Sequence, residues 1–423
     1  MDIVLKNGIV VDPLSGIRKT ADIAIENGTI QSIGNIKKST QELDCKNNFL
    51  FPSLFDLHTH LREPGFESSE TIETGLAAAA HGGYGSVCCM PNSLPVNDSA
   101  VITKYIRYRA EEIGGCNVYP IGAITKDLCG KSLSDMYSLK SAGVVAYSDD
   151  GFPVEDSSLL RKAMKIAKSI NMPLFLHEED KFLSQDGMIR DGEIAVRLGL
   201  NGIPPSSESS IIARDLEIVR ETGARIHFCH ISCIRSLQLI KEAKRDNLPV
   251  TCEVTPHHLC FTDLDVGQYN TNAKVNPPLA SISDRDALID GLVDGTIDAV
   301  ATDHAPHSYD MKRKSIKDAA FGMSGIETAL PLLYASLVKS GKIDFSKLLY
   351  KMIITPARIA GVKPNTIETG RLANITVFDP SETYNVTEKF FLSKGKNSLL
   401  LGKSLEGAVK ATIFNGKFSY RMF

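Results

Sequence analysis

Short apolar runs alternate with longer amphipathic stretches through the middle of the chain. The apolar runs have the length and composition of buried strands, and the stretches between them have a helical period. The predicted strands are Leu54–His60, Ser86–Met90, Val118–Ala123, Val144–Tyr147, Leu174–His177, Ile226–His230, Val250–Val254 and Ala299–Asp303. The helices predicted between them include Thr71–Ala80, Leu159–Ser169, Ser209–Thr222 and Ile234–Arg245.

Eight strand–helix units over about 250 residues match the size of a (β/α)8 barrel. We therefore predict an α/β fold with a TIM-like barrel over residues 51–360. A doubly wound open sheet is the alternative, but no Gly-x-Gly-x-x-Gly motif follows an early strand.

Both ends of the chain have a different pattern from the middle. Short strand-like segments near the N-terminus are interrupted at Asn7-Gly8 and Asn27-Gly28. Near the C-terminus, Asn415-Gly416 is typical of a hairpin turn. Because β-rich segments flank the barrel on both sides, we predict a small composite β-sandwich domain built from residues 1–50 and 361–423.

The composition is that of an ordinary globular protein, with 43% hydrophobic and 23% charged residues. A net charge of −3 argues against nucleic acid as the main partner, and the sequence contains no basic run. No apolar stretch reaches the roughly 18 residues that a membrane span needs, and the first residues do not resemble a secretory signal. We therefore expect a cytoplasmic protein that has no membrane partner.

His58 and His60 lie two residues apart at the end of the first predicted barrel strand. Because side chains on a strand alternate between its faces, both imidazoles leave the backbone on the same side. Two imidazoles that converge in this way suit zinc or a similar cation, with core hydrogen bonds as the alternative. Arg62 follows directly and would place a positive charge where an anionic substrate can bind.

Further polar side chains lie at the carboxyl ends of the later predicted strands. In a (β/α)8 barrel these ends meet on one face, and enzymes of this fold build their active sites there. The residues concerned are His58, His60, Asp150, His177, His230 and Asp303. Each has an ordinary explanation when taken alone, such as a turn for Asp-Asp-Gly. Their joint placement favours a metal site.

Four histidines and two aspartates are enough ligands for two cations that share one carboxylate. Two metal ions about 3.5–4 Å apart clamp a bridging hydroxide and lower the pKa of the bound water to near 7. Asp303 is then the expected general base, which carries a proton from the attacking water to the leaving nitrogen.

The remaining histidines are expected to have other roles. His81 precedes Gly82-Gly83 at a predicted helix end, where we expect it to be solvated. His257 and His258 lie near the end of the seventh predicted strand and are not assigned as ligands.

Eight short motifs are distributed along the barrel. They are H-T-H-L-R-E-P-G (58–65), E-T-I-E-T-G (70–75), M-P-N-S (90–93), S-D-D-G (148–151), V-T-P-H-H-L (254–259), V-N-P-P-L (275–279), T-D-H-A-P-H (302–307) and F-G-M-S-G-I-E-T (321–328). H-x-H alone occurs in many amidohydrolases, whereas H-x-H-x-R-E-P-G together with D-H-A-P-H is far more specific. On these motifs the chain resembles the dihydroorotase family of the amidohydrolase superfamily, in the class whose metal site is bridged by an aspartate.

The resemblance implies a role for each matching residue. The ligands of one metal match His58, His60 and Asp303, those of the other match His177 and His230, and the bridging ligand matches Asp150. The expected metal is zinc, with two ions per chain. The substrate contacts match His60, Arg62, Asn92, Asn276, His307, Phe321 and Gly322. Arg62 suits the ring carboxylate of dihydroorotate, and the two asparagines can hydrogen-bond the carboxylate and the ring amide.

The resemblance also implies an activity and partners. We expect a zinc-dependent enzyme that interconverts N-carbamoyl-L-aspartate and dihydroorotate in pyrimidine biosynthesis, as a homodimer and with aspartate transcarbamoylase as a candidate partner. Two alternatives stay open: an allantoinase or hydantoinase that acts on another cyclic amide, and an inactive scaffold for aspartate transcarbamoylase. Residues 143–151 contain no lysine, which argues against a bridge made by a carboxylated lysine as in many hydantoinases. The presence of all six ligands argues against an inactive scaffold.

Overall fold

The computed structural model describes residues 2–36 and 41–422. The predicted terminal segments also include Met1, residues 37–40 and Phe423, which lie outside the described residues. The predicted fold is confirmed: an α/β protein with a (β/α)8 TIM-like barrel and a second β-sheet built from both termini.

Eight parallel strands form the barrel and follow one another in sequence order. Numbered here as barrel strands 1 to 8, they are Leu54–Thr59, Tyr84–Cys89, Asn117–Gly122, Ala146–Tyr147, Leu174–Leu176, Ile226–Phe228, Val250–Val254 and Ala299–Val300. The barrel closes just after strands 1 and 8, where the amide of His60 donates to the carbonyl of His304 at 2.9 Å. Several strands end before the predicted polar residue, so His177, His230 and Asp303 follow their strands.

Helices surround the barrel and turn their apolar residues towards it. Ser157–Ser169 is representative, because it buries Leu160, Met164 and Ala167 at helical spacing. The carboxylate of Asp156 caps the first turn of this helix by accepting hydrogen bonds from the amides of Ser158 and Leu159. The α-helices are Ile72–His81, Ala100–Ile113, Met136–Ala142, Ser157–Ser169, Lys181–Ser184, Glu193–Leu198, Ser206–Thr222, Ile234–Arg245, Pro256–Cys260, Ile282–Asp294, Tyr309–Lys312, Ala329–Leu333, Phe345–Leu349 and Thr355–Ile359. The 3-10 or π segments are Lys126–Leu128, Asp263–Val266, Thr271–Ala273, Tyr334–Val338, Tyr350–Ile354 and Glu388–Phe390.

The second sheet joins the two ends of the chain. Its strands are Ile3–Asp12, Ile17–Glu26, Thr29–Gly34, Glu42–Asp44, Phe49–Pro52, Ile375–Asn385, Ser404–Phe414 and Lys417–Arg421, and a separate small ladder pairs Ile189–Arg190 with Gly202–Ile203. Phe49–Pro52 runs antiparallel to Ile375–Asn385, which places both termini in one ladder. The predicted hairpin turn is present at Asn415 and Gly416, both at positive φ. Phe49–Pro52 crosses the predicted boundary at residue 50, and the division into domains stays a prediction.

The C-terminal segment also reaches the carboxyl end of the barrel. Val386 and Leu399 from this segment share a buried apolar cluster with Val275 and Met323 from the barrel loops. Over the described ranges 2–36 and 41–422, none of the helices has the length and apolar character needed to cross a membrane.

The prediction that His81 is solvated is wrong. His81 ends the helix Ile72–His81, but it is only 8% exposed and its Nδ1 lies 2.7 Å from Oε1 of Glu327. The ring of Tyr420, from the last strand of the second sheet, packs against it with ring centroids 4.6 Å apart. The helix end is therefore covered by the C-terminal segment, which a local helix signal does not reveal.

Candidate metal centre and active site

A cavity of about 310 Å³ opens at the carboxyl ends of the barrel strands. All of the predicted site residues except His58 line it, and His58 is completely buried. The predicted residues in the cavity wall are His60, Arg62, Asn92, Asp150, His177, His230, Asn276, Asp303, His307, Phe321 and Gly322. Positions spread over most of the barrel thus meet in one place, as expected for this fold.

His58, His60 and Asp303 bring three ligand atoms together. Nε2 of His60 lies 3.1 Å from Oδ1 of Asp303, and Nε2 of His58 lies 3.6 Å from the same oxygen. The ligand atoms of this buried group are within 4.8 Å of one another. Imidazole nitrogen and carboxylate oxygen are ordinary zinc ligands, so the group is able to hold a metal ion.

Asp150 lies among all four histidines. Its Oδ1 is 3.3 Å from Nε2 of His58, and its Oδ2 is 3.6 Å from Nε2 of His60. Oδ1 is also 3.8 Å from Nε2 of His230 and 3.9 Å from Nδ1 of His177. His58, Asp150 and His230 form a second buried group with ligand atoms within 4.8 Å. A single carboxylate in reach of four imidazoles has the placement that a bridging ligand requires.

The hydrogen bonding of these histidines fits a cation better than a hydrogen-bonded core. Nε2 of His58 is buried and faces Asp150 and Asp303, yet among the described residues it has no hydrogen-bond partner. A buried polar atom without a hydrogen bond destabilises the fold, unless its lone pair is donated to a metal ion. Nδ1 of His177 also lies only 3.0 Å from Nε2 of His230. A metal ion accepts lone pairs from converging nitrogens, so the donor set fits one.

The two aspartates are ionised at neutral pH. Burial favours the neutral acid, but His58 and His60 outweigh it and hold the pKa of Asp303 below its usual value. Burial is outweighed in the same way at Asp150, where the nearby rings of His58 and His230 hold the pKa well below its usual value. The centre therefore supplies the negative charge that binds a divalent cation.

Two glutamates without a predicted role hold the outer nitrogens of the histidines. Oε1 of Glu253 is 3.0 Å from Nδ1 of His58, and its Oε2 is 3.1 Å from Nε2 of His227. Oε2 of Glu179 is 3.1 Å from Nε2 of His177. A carboxylate on one ring nitrogen fixes the imidazole and directs the other nitrogen to a metal. Glu253 had a sequence signal, because a charged residue inside the apolar strand Val250–Val254 needs a buried partner.

Arg62 and His307 lie side by side in the cavity wall. Nε of Arg62 donates to the carbonyl of Pro306 at 3.2 Å, and its Nη2 is 3.5 Å from Nε2 of His307. Nε2 of His307 is 2.7 Å from the carbonyl of Phe321, which orients the ring as a donor. Burial and the charge of Arg62 lower the pKa of His307 to about 3, so its ring is neutral at neutral pH. Arg62 is therefore the cation of this wall.

The two predicted asparagines contact the ligand set. Oδ1 of Asn92 is 2.9 Å from Nδ1 of His60, and its Nδ2 donates to Oδ2 of Asp150 at 3.2 Å. Nδ2 of Asn276 donates to Oε2 of Glu179 at 2.9 Å. Both amides thus lie beside the metal-binding groups, and their contacts with a substrate stay a prediction.

Three site residues have a left-handed backbone. Arg62, His230 and Asp303 have φ of +60°, +32° and +47°. Such conformations are rare for residues other than glycine, and they concentrate at functional sites where the surroundings enforce them. The left-handed turns at His230 and Asp303 follow the ends of barrel strands 6 and 8, and both side chains lie in the centre.

Comparison with known proteins agrees with this geometry. Residues 47–236 match the family model described as "Dihydro-orotase-like". The chain is 44% identical over 423 residues to the dihydroorotase of Thermoanaerobacter sp. strain X514, covering 100% of this chain and 98% of that protein. It is 43% identical over 425 residues to the dihydroorotase of Syntrophus aciditrophicus, covering 100% of both. A solved structure, the L-hydantoinase of Arthrobacter aurescens, shares the fold with a TM-score of 0.88 at 22% identity, covering 99% of this chain and 95% of that one.

Proposed function

The chain belongs to the dihydroorotase family, and we propose that it catalyses the reversible cyclisation of N-carbamoyl-L-aspartate to dihydroorotate in pyrimidine biosynthesis. It is a cyclic amide hydrolase of the amidohydrolase superfamily. The observation that carries the proposal is the placement of Arg62 and Asp303 in one cavity. The first is a cation suited to the ring carboxylate, and the second is an ionised carboxylate suited to proton transfer.

The proposed metal is zinc, with two ions per chain. The donor set of imidazoles and carboxylates supports this choice. One ion would be held by His58, His60 and Asp303, the other by His177 and His230, and Asp150 would serve both. Bound zinc polarises an amide carbonyl and lowers the pKa of a water molecule.

Asp303 is the proposed proton carrier. In ring opening, a C–O bond forms at the amide carbon while the C–N bond breaks, so water must lose a proton and the departing nitrogen must gain one. The ionised carboxylate of Asp303 accepts the first proton and then donates it to the nitrogen. Cyclisation uses the same group in the opposite order.

The opposite wall holds the substrate in this proposal. Arg62 pairs with the ring carboxylate, and the neutral ring of His307 lies next to it without adding a second charge. His60, Asn92 and Asn276 offer polar atoms to the ring, and Phe321 and Gly322 offer backbone groups. Binding therefore depends on a carboxylate on the ring, which separates dihydroorotate from neutral cyclic amides.

The experiment that tests the function compares four cyclic amides under one set of conditions. Dihydroorotate, dihydrouracil, hydantoin and allantoin are offered to the purified enzyme, with and without a chelator. Dihydroorotate should be the preferred substrate, and dihydrouracil is the matched control because it has the same ring without the carboxylate. A preference for dihydrouracil, hydantoin or allantoin would contradict the proposal.

We also propose that the chain divides into a barrel (51–360) and a composite sheet domain (1–50 and 361–423).

In the cytoplasm, we propose, the protein forms a homodimer and has aspartate transcarbamoylase as a partner. Light scattering on the enzyme alone and mixed with the transcarbamoylase of the same organism tests the assembly. A monomer that does not change mass on mixing would contradict both the dimer and the complex.

A further inference from the structure

A short loop of the C-terminal segment, residues 393–397, fastens onto the wall of the substrate cavity, and we call it the clasp. The hydroxyl of Ser393 donates to the carboxylate of Glu70, which is completely buried. The hydroxyl of Ser324 donates to the carbonyl of Gly395 at 2.7 Å, and the amide of Ser324 donates to the carbonyl of Asn397 at 2.9 Å. The clasp is thus tied to the barrel at both of its ends.

The side chain of Asn397 is hydrogen-bonded to the cavity wall through both its oxygen and its nitrogen. Its Oδ1 accepts from the amide of His307 at 2.9 Å and lies 3.0 Å from the hydroxyl oxygen of Ser324, whose proton goes to the carbonyl of Gly395. Its Nδ2 donates to the carbonyls of Ala305 at 3.1 Å and Gly322 at 3.0 Å. One N–H donor and two carbonyl acceptors allow only one orientation of the amide. Asn397 is 4% exposed, so water does not compete for these bonds.

Asn397 joins the backbones of His307 and Gly322, and these two residues lie extremely close together. A Cβ on Gly322 would lie 2.9 Å from Nε2 of His307 and 2.7 Å from Cβ of Ala305. The φ of Gly322 is +131°, which favours glycine for a second reason. Nζ of Lys312 also donates to the carbonyl of Gly322 at 3.0 Å. The position of this carbonyl is therefore set from outside the cavity.

Gly395 shows how closely the clasp approaches the site. A Cβ at this position would lie 2.5 Å from the backbone nitrogen of His307 and 2.5 Å from Cβ of Pro306. Only glycine lets the loop lie against this backbone without displacing it. This backbone contact of Gly395 does not involve the side chain of Asn397. It nevertheless lies against His307, the residue whose amide Asn397 binds.

We propose that Asn397 is a positioning residue for the substrate: an asparagine from the C-terminal segment that sets the spacing between His307 and the Phe321–Gly322 backbone. The inference rests on the proposed function, in which these groups contact the substrate ring. Without the two N–H donors of Asn397, the carbonyls of Ala305 and Gly322 lose a common partner and the wall widens. The loss falls on substrate binding, because Asn397 contacts neither Asp303 nor the histidines of the metal centre.

Asn397→Asp is the sharpest test, because it keeps the size and the acceptor atom but replaces both donors with an oxygen. We expect KM for dihydroorotate to rise about 10- to 100-fold, with a smaller change in kcat and the same metal content. The matched control is Asn374→Asp. Asn374 is also a buried asparagine of the C-terminal segment, but it accepts from the amide of Asn415 at 2.7 Å and donates to Asn365. The control variant Asn374→Asp should lower Tm without changing KM for dihydroorotate.

A second readout does not depend on turnover. In Asn397→Asp, hydrogen–deuterium exchange should become faster in peptides that cover residues 319–325, because the amides of Gly322 and Ser324 are bonded in this wall. In Asn374→Asp the exchange of these peptides should stay as in the wild type. If the wild type does not act on dihydroorotate, the proposed function fails while exchange still tests the clasp.

Gly395→Ala provides the same test if Asn397→Asp does not fold. Its methyl group displaces the clasp while all side-chain donors and acceptors remain, and we expect the same rise in KM and in exchange. Wild-type KM and exchange in the variant that folds would overturn the proposal. An equal rise in KM in Asn374→Asp would also overturn it, because the effect would then be a general loss of stability.

Discussion

Oε1 of Glu253 lies 3.0 Å from Nδ1 of His58, and both side chains are completely buried in the barrel. Burial raises the pKa of a carboxyl group, but hydrogen bonds from His227 and His58 outweigh it and lower the pKa of Glu253 to about 2. An ionised Glu253 requires the proton of the His58 ring to be on Nδ1. Nε2 is then the nitrogen that faces the space between Asp150 and Asp303, where a metal ion would take its lone pair.

Replacing Glu253 should therefore weaken metal binding without removing a ligand. We expect Glu253→Gln to lower the affinity for zinc about 10- to 100-fold, the usual effect of losing such a carboxylate. Competition with a chromophoric chelator measures this affinity. Glu327→Gln is the control, because Glu327 is also a buried glutamate paired with a histidine, His81, away from the centre. An equal loss of affinity in both variants would contradict the role of Glu253.

Removal of the metal should abolish activity. The purified enzyme should contain zinc, up to about two ions per chain, and a strong chelator should stop turnover until zinc is returned. Elemental analysis before and after chelation, together with the activity of each sample, provides the measurement. Full activity in a metal-free sample would refute the metal centre.

Asp303→Asn should separate metal binding from proton transfer. The amide keeps the size and one oxygen, but it does not accept a proton at neutral pH. We expect metal to be retained and kcat to fall about 10²- to 10⁴-fold, the usual range for loss of a general base. Metal analysis and steady-state kinetics on one preparation give both values. If this variant turned over at the wild-type rate, the proton would have to move through another group, and His307 would be tested next.

Arg62→Met should affect binding of the anionic substrate and leave the metal centre unchanged. Truncation of one partner of a buried charge pair costs about 2–5 kcal/mol, so kcat/KM for dihydroorotate should fall strongly. The zinc content should remain normal, because Arg62 donates to the carbonyl of Pro306 and lies beside His307, which is not a proposed ligand. Wild-type kcat/KM in this variant would show that another group binds the carboxylate.

His307 should make stability depend on acid pH. Burial and Arg62 lower its pKa to about 3 in the folded protein, below that of the unfolded chain. The neutral ring contributes fully to the free energy of unfolding above about pH 6.5, and this contribution is lost as the pH falls towards the folded pKa. At pH 5 the loss amounts to about 2 kcal/mol. Urea unfolding at about pH 7.5 and about pH 5 should therefore show a smaller loss for His307→Asn than for the wild type. Equal losses would mean that His307 is already charged in the folded state.

The barrel was predictable because each strand is a short apolar run with its own boundaries. Val250–Val254 has the same bounds in the sequence pattern and in the structure. Barrel strands 6 and 8 end at Phe228 and Val300, before His230 and Asp303, whose backbone is left-handed. A strand pattern indicates which residues are buried, and it contains no information on where the hydrogen-bonded ladder stops.

The missed residues share a different cause. Glu253 meets His58 across 195 positions of sequence, and Asn397 meets His307 across 90. His81 is buried for the same reason, since its partner Glu327 lies 246 positions further along. Each of these side chains depends on a contact that only the folded chain creates. A local signal therefore predicts their secondary structure and not their surroundings.

The sheet that joins both termini also determines the order in which the protein is completed during synthesis. Phe49–Pro52 needs Ile375–Asn385 as its neighbour, and Asp12 accepts a hydrogen bond from Thr366, 354 positions later. At about 5–20 residues per second, a ribosome leaves the N-terminal strands without these neighbours for roughly 15–70 s. During that interval an apolar strand edge is exposed and open to pairing with other chains. Asn397 emerges after Ile375–Asn385, so the terminal sheet and the substrate cavity are both completed only after these C-terminal residues have been made.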